Sequence, residues 1–391
     1  MALTDYMRRG LVASRGGQIL AFAAYTNTLD DVIKFTIGEP DFNTPDHIKR
    51  AAKQAIDDNH SHYANPVGIS GLRQAASDFL AQKYQQHYNP ETEIVVTNGV
   101  TEGIYDSLMA TLNLGDVAVV PTPIFPLYLS DANRLGAEVV QIDTSKTDFK
   151  LTPAQLQAVV DQYGDRLRVL VMNYPTNPTG VCYTASELGA LAEVVRGLPI
   201  FVLCDEIYSE LSYDQPHSSL ATMIRDQAIL LTGVSKAWAM TGYRIGIVCA
   251  PAPIAAQIAK IHQMITTSEP TPMQDAAEEA FRYGQDDALP MKAAFEQRRD
   301  AMYQDLTKMG FACVKPAGAF YIFAKIPAFL EQDDCKLIYE LAEKAGVAVS
   351  AGSFFAKGGE GYLRFSYATG LDQIDAGMKR LAAYLQQKQL N

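Results

Sequence analysis

The chain of 391 residues carries 33 Lys and Arg against 44 Asp and Glu, a net charge of −11 at neutral pH, and that sign argues against a protein that lives on nucleic acid or other polyanions. Its 48% hydrophobic and 20% charged content is ordinary for a soluble globular protein. The length predicts two or three domains.

The N-terminus, Met1 to Arg9, is charged and lacks an apolar core of signal length, and no apolar run reaches the ~18 residues of a membrane span. A cytoplasmic protein is therefore expected. Val32–Ile37 reads as a short strand ending in the irregular loop Gly38-Glu-Pro-Asp-Phe-Asn-Thr-Pro45. Thr44 is expected to cap a helix with Pro45 at its first position, its apolar face running through Ile48, Ala51, Ala52 and Ile56. A polar loop with Tyr63 precedes a further helix, Ser70–Tyr84; Tyr63 is either a packing residue or something more specific.

From Glu93 the pattern changes. Seven short β-branched runs, Ile94–Thr97, Val117–Val120, Val139–Ile142, Val169–Met172, Ile200–Leu203, Ile229–Thr232 and Ile245–Val248, alternate with amphipathic helices. Several lack polar alternation, which predicts strands buried on both faces: an α/β domain with a mostly parallel sheet. Thr152-Pro-Ala-Gln155 and Thr184-Ala-Ser-Glu187 have capping-box spacing, and a helix is expected over Glu102–Leu112 after the turn Asn98–Thr101.

Beyond about residue 285 a long helix, Ala288–Met309, leads to strands Ala312–Lys315 and Ala319–Ile326, a helix Lys336–Ala345, strands Val347–Ser350 and Leu363–Tyr367, and a terminal helix from Leu371. This layout predicts a smaller α+β domain in tight contact with the first. The five cysteines, Cys182, Cys204, Cys249, Cys313 and Cys335, have no C-x-x-C spacing and read as buried free thiols in a reducing compartment. With no H-E-x-x-H either, no metal site is expected.

Four strand ends carry the notable polar residues, and in open parallel sheets ligands bind beyond the carboxyl ends of strands. Asn98-Gly-Val-Thr-Glu102 opens a helix, so the amides of Val100 and Thr101 can face a phosphate. Asn177 follows a second strand in a loop stiffened by two prolines. Asp205 follows a third; it is either a helix N-cap or a carboxylate that needs a cation. Lys236 follows a fourth, in Gly233-Val-Ser-Lys-Ala-Trp-Ala-Met-Thr-Gly-Tyr-Arg-Ile-Gly246, where apolar neighbours favour the free amine and Arg244 has the planar fork suited to phosphate. A phosphate, an aldehyde and a cationic ring nitrogen would use all four, which is the chemistry of pyridoxal phosphate.

At this point the chain resembles the class I and II aminotransferases of pyridoxal-phosphate fold type I, from Ile37-Gly-Glu-Pro-Asp-Phe to Tyr362-Leu-Arg-Phe-Ser-Tyr-Ala. Gly233–Gly246 matches that family's lysine-site pattern, and Asn-Pro-Thr-Gly at 177–180, Asp-Glu-Ile-Tyr at 205–208 and Pro-Ala-Gly-Ala-Phe-Tyr at 316–321 occur in its order. The resemblance implies a large cofactor domain (45–285) with a mixed, mostly parallel seven-stranded sheet, and a small domain from 1–44 and 286–391. It implies Lys236 as the Schiff-base lysine and proton carrier, Asp205 at the ring nitrogen, Asn177 and Tyr208 at the ring hydroxyl, and Phe125 stacked on the ring. Val100, Thr101, Ser235, Arg244 and, from a second subunit of a homodimer, Tyr63 would hold the phosphate; Arg364, with the backbone at Gly38, would bind the substrate α-carboxylate.

Two departures bear on the substrate and the cofactor. Gly233 stands where many relatives have a phosphate-binding serine, and Thr101 where some relatives that prefer dicarboxylic substrates have a lysine. An L-amino acid donor with an aromatic or other neutral side chain is expected, passing its amine to a 2-oxo acid such as 2-oxoglutarate by ping-pong half-reactions. The alternatives are an aspartate-type enzyme, in which Arg15 or another N-terminal cation serves the second carboxylate, a carbon–sulfur β-lyase, and a non-enzymatic cofactor-binding regulator. The last usually has a basic DNA-binding segment, for which there is no room before Gly38.

Overall fold

A computed structural model describes residues 3–7 and 17–390. Strand β1 (Ile33–Lys34) is only two residues long. It is followed by β2 (Ile94–Asn98), β3 (Val117–Thr122), β4 (Glu138–Asp143), β5 (Leu167–Asn173), β6 (Phe201–Asp205), β7 (Ala228–Gly233) and β8 (Ile245–Cys249). Those last seven form one sheet in the order β2-β8-β7-β6-β5-β3-β4. All seven expected strands are present. β8 is antiparallel to both its neighbours, whereas the other pairings are parallel.

Both faces of this sheet are apolar because successive residues of a strand point to opposite sides. Val96, Leu170, Val202, Leu230 and Ile247 pack on one face, under the helices Ser70–Tyr84, Ala185–Val195 and Thr271–Tyr283. Val95, Val169, Leu203, Leu231 and Val248 pack on the other, under Gly99–Thr111 and Ala252–Ile265. Each fully buried aliphatic side chain of this kind contributes ~1.5–3 kcal/mol. The two capping boxes form as expected, with Thr152 and Thr184 accepting from the backbone N–H of Gln155 and Glu187.

A third core joins the two ends of the chain. It draws Phe22, Ile33 and Phe35 together with Phe295, Met302, Tyr321, Phe323, Phe365 and Leu381. Its strands are β9 (Ala312–Cys313), β10 (Tyr321–Lys325), β11 (Val347–Ala348), β12 (Ser350–Ala351) and β13 (Tyr362–Ser366). β12-β13-β10-β9 form an antiparallel sheet, while β1 pairs in parallel with β11.

Several local expectations are corrected. The strand over Val32–Ile37 shrinks to β1, whose ladder with β11 spans just Ile33 and Lys34. Thr44 does not cap: the helix runs Asp46–Asp57 with Pro45 at the N-cap, and Thr44 Oγ1 instead donates to Ala239 O at 2.8 Å. Ile56 on that helix is exposed. The helix after β2 starts at Gly99 rather than Glu102. Val347–Ser350 splits into two strands of different sheets, and the helix before it changes to a π-turn over Leu341–Ala345. All five cysteines are free, but only Cys204 and Cys249 are buried; the other three are half-buried. No helix among the described residues is long and apolar enough to cross a membrane.

Candidate active site

The site lies on one edge of the seven-stranded sheet. The C-terminal ends of β2, β5, β6 and β7 deliver Asn98, Asn173, Asp205 and Gly233 there. β8 runs the other way, so its start is on the same edge, and Gly233 pairs with Gly246. Lys236 and Arg244 thus share the loop that joins β7 to β8.

A cavity of about 420 Å³ opens at this edge. It is lined by Gly38, Val100, Thr101, Phe125, Asn177, Asp205, Tyr208, Ser235, Lys236, Arg244 and Arg364. Tyr63 is the one expected site residue that does not line it; its side chain is 87% exposed. Arg15 lies outside the described residues.

Lys236 Nζ donates to Gly38 O at 2.7 Å. Burial pushes its ammonium down to about 8, with Glu39 pulling the other way and the Arg244 guanidinium reinforcing the drop. Asp205, last residue of β6, caps no α-helix. Its Oδ2 accepts from Tyr128 Oη at 2.5 Å and its Oδ1 from Ile207 N at 3.1 Å. Burial lifts this carboxyl to about 6, opposed by those two hydrogen bonds. A cationic partner would favour its carboxylate form.

Arg364 comes from β13, opposite Phe323 on β10. It is 3% exposed, and Tyr321 and Phe355 lie 4.5 and 4.8 Å from its guanidinium carbon. Nη1 donates to Asn177 Oδ1 at 2.9 Å and Nη2 to Thr36 O at 2.7 Å. Nε is buried without a partner among the described residues. Asn177 itself is tied down by its backbone N–H, which donates to Asn173 Oδ1 at 3.2 Å. Tyr208 and Tyr321 hydroxyls are 3.0 Å apart.

Around Arg244 the backbone forms a cradle. Arg244 sits in the left-handed region at φ 57°, with Nη1 donating to Thr241 O at 3.0 Å and Nη2 to Asn98 O at 3.2 Å. A Cβ on Gly246 would stand 2.4 Å from Gly99 C, and one on Gly99 2.5 Å from Arg244 Nη2. At Gly246 the clash is with fixed backbone, so only glycine permits the approach, and at Gly99 the positive φ of 67° favours glycine. Amides at the start of a helix, the hydroxyls of Thr101 and Ser235, and Arg244 form a donor set for a dianion. A carboxylate and a low-pKa amine lie beyond it, so the residues present fit pyridoxal phosphate.

Tyr128, Tyr321 and Thr36 escaped sequence reasoning. Tyr321 was in a recognised motif without a role, and Tyr128 follows the Phe125 loop by three residues. No local pattern marks the carbonyl of Thr36.

Residues 30–381 match the family model "Aminotransferase class I and II". A relative from Bacillus subtilis, named probable N-acetyl-LL-diaminopimelate aminotransferase, is 42% identical over 92% of this chain and 90% of its own. The aromatic aminotransferase of Pyrococcus horikoshii superposes with a TM-score of 0.88 at 34% identity, covering 95% of this chain and 100% of that one. The aspartate aminotransferase of Thermus thermophilus with maleate does so at 0.91 and 32% identity, over 96% and 99%.

Proposed function

The chain belongs to the class I and II aminotransferases, pyridoxal-phosphate-dependent transaminases of fold type I, and from that membership we propose the roles of its residues and the class of its donor. The cofactor, when bound, supplies an aldehyde that takes up the amino group and a protonated ring that draws electrons from the substrate α-carbon.

The proposed work of this chain's residues is to bind, orient and move protons. Val100, Thr101, Ser235 and Arg244 hold the phosphate, joined by Tyr63 from a second copy of the chain in a homodimer. Asp205 would pair with the ring nitrogen, and Phe125 would supply the face on which the ring stacks. Tyr208 Oη and the NH2 end of Asn177, whose Oδ1 is occupied by Arg364, donate to the ring hydroxyl. Arg364 binds the substrate α-carboxylate, helped by the backbone of Gly38, which lines the same cavity. Lys236 Nζ would hold the cofactor at its aldehyde and would take and return the substrate α-proton. Its lowered pKa suits both tasks.

Residues 45–285 are taken as the cofactor domain, and 1–44 with 286–391 as the small domain. The distribution of the three cores supports this division. Free thiols support a cytoplasmic location.

The donor reading rests on the cavity's charges. Among the described lining residues the cations are Lys236, Arg244 and Arg364, each with a role above, while Ile19, Ile37 and Leu127 add apolar surface and Glu39 a negative charge. An aromatic or other neutral L-amino acid fits that lining, with 2-oxoglutarate as acceptor. The name of the Bacillus subtilis relative favours a second reading, an N-acylated diamino dicarboxylic acid whose far carboxylate meets a cation from the N-terminal segment or the second copy. Single-turnover bleaching of the cofactor band separates them. Phenylalanine or leucine reacting faster than aspartate and N-acetyl-LL-diaminopimelate is expected; the reverse order overturns the neutral-donor reading.

A further inference from the structure

Four ionisable side chains meet near the start of the helix Gly99–Thr111. Glu102 and Asp106 come from that helix, one turn apart and on the same face. His262 comes from the helix Ala252–Ile265, and Glu269 from the loop before Thr271–Tyr283. The side chains of His262 and Glu269 are fully buried, and that of Glu102 is 9% exposed.

Except at Glu102, their polar atoms lack an aligned hydrogen bond among the described residues. Neither nitrogen of His262, neither oxygen of Glu269 and neither oxygen of Asp106 has a hydrogen-bond partner among the described residues. An unpaired buried polar atom is destabilising, and adjacent buried carboxylates add repulsion. The approach of His262 to the two glutamates offsets part of this, and a bound cation would offset more.

We propose that Glu102, His262 and Glu269 bind one divalent transition-metal ion, zinc or manganese. One donor atom of each lies within 4.8 Å of the other two. Two ligand atoms sharing an ion at ~2.1 Å cannot stand more than ~4.2 Å apart. His262 Nδ1 is 3.2 Å from Glu102 Oε1 and 4.0 Å from Glu269 Oε1, inside that limit, without an aligned hydrogen bond to either. One imidazole and two carboxylates suit zinc or manganese better than calcium or magnesium, which prefer all-oxygen sites. Asp106 adds negative potential that a dication offsets. On binding, the glutamates release any proton they hold and the imidazole ligates in its neutral form.

The position gives the ion a structural consequence. Glu102 Oε2 accepts from Asn98 N at 2.5 Å, and Thr266 Oγ1 donates to Glu102 Oε1. Asn98 opens the helix that presents Val100 and Thr101, so an ion on Glu102 would brace the phosphate cradle from behind. The sequence expectation of no metal rested on local spacing, and these ligands come from three separate segments.

Holoenzyme purified without a polyhistidine tag, equilibrated with zinc or manganese and dialysed into metal-free buffer, tests this by elemental analysis. About one ion per chain is expected, with a thermal midpoint that rises on metal addition and falls with chelator. Glu269→Gln, which preserves side-chain volume, should lower metal affinity ~10-fold or more while the cofactor remains bound. His262→Ala is the second variant; should it fail to fold, Glu269→Gln decides alone. Wild-type protein that retains neither metal overturns the proposal and assigns the cluster to shared protons. A Glu269→Gln holoenzyme with unchanged metal affinity overturns it as well.

Discussion

Tyr128 donates its phenolic hydrogen to Asp205 Oδ2 at 2.5 Å, joining the segment after β3 to the end of β6 in a place where both side chains are buried. That bond opposes the burial that otherwise lifts the Asp205 carboxyl to about 6. Tyr128→Phe leaves the carboxylate with less support, so Asp205 should protonate at higher pH. The acid limb of the kcat/KM profile is expected to move upward, with kcat at neutral pH lower by about tenfold. Parallel pH profiles of the two enzymes check this.

Lys236 makes a prediction of opposite sign at the alkaline side. Its ammonium form predominates below about 8 and the nucleophilic amine above it, because burial disfavours the charge. The rate at which apoenzyme captures pyridoxal phosphate should therefore climb as pH passes through about 8. Stopped-flow absorbance measures it. Lys236→Ala should abolish both capture and turnover.

Arg364 is held by Asn177, Thr36 and two aromatic rings in an orientation a lysine cannot reproduce. Arg364→Lys should raise KM for donor and acceptor alike by about tenfold to a hundredfold, the loss expected for a charged hydrogen bond. Steady-state kinetics in both half-reactions would show it, while cofactor absorbance stays unchanged.

Gly246 tests the cradle. An alanine there would place its Cβ 2.4 Å from Gly99 C and 2.5 Å from Val100 N, forcing apart the backbone that faces the phosphate. At ~1–3 kcal/mol for such crowding, Gly246→Ala should weaken cofactor affinity about tenfold or more. Equilibrium titration of apoenzyme with pyridoxal phosphate measures the change.

The seven strands of the large sheet were legible because each is a β-branched run bounded by turn residues and buried on both faces, so its pattern is local. Lys236, Asp205, Asn177 and Arg244 were legible as a group because strand ends converge and because their motifs match a known family. Thr44 misled because a threonine before proline looks like a cap, yet its hydroxyl found a carbonyl on the Lys236 loop.

The sequence alone thus determined the sheet, the family and many of the residues that line the cavity, all of which depend on short-range pattern. Tertiary structure decided the rest. β8 runs antiparallel and thereby brings Arg244 back to the edge that holds Lys236. Tyr128 reaches Asp205, and Thr36 supplies a carbonyl to Arg364 across most of the chain's length. Glu102, His262 and Glu269 converge from separate segments. These relationships depend on how distant segments pack, and burial then sets the charge state of each group; neither is written in the spacing of neighbours along the chain.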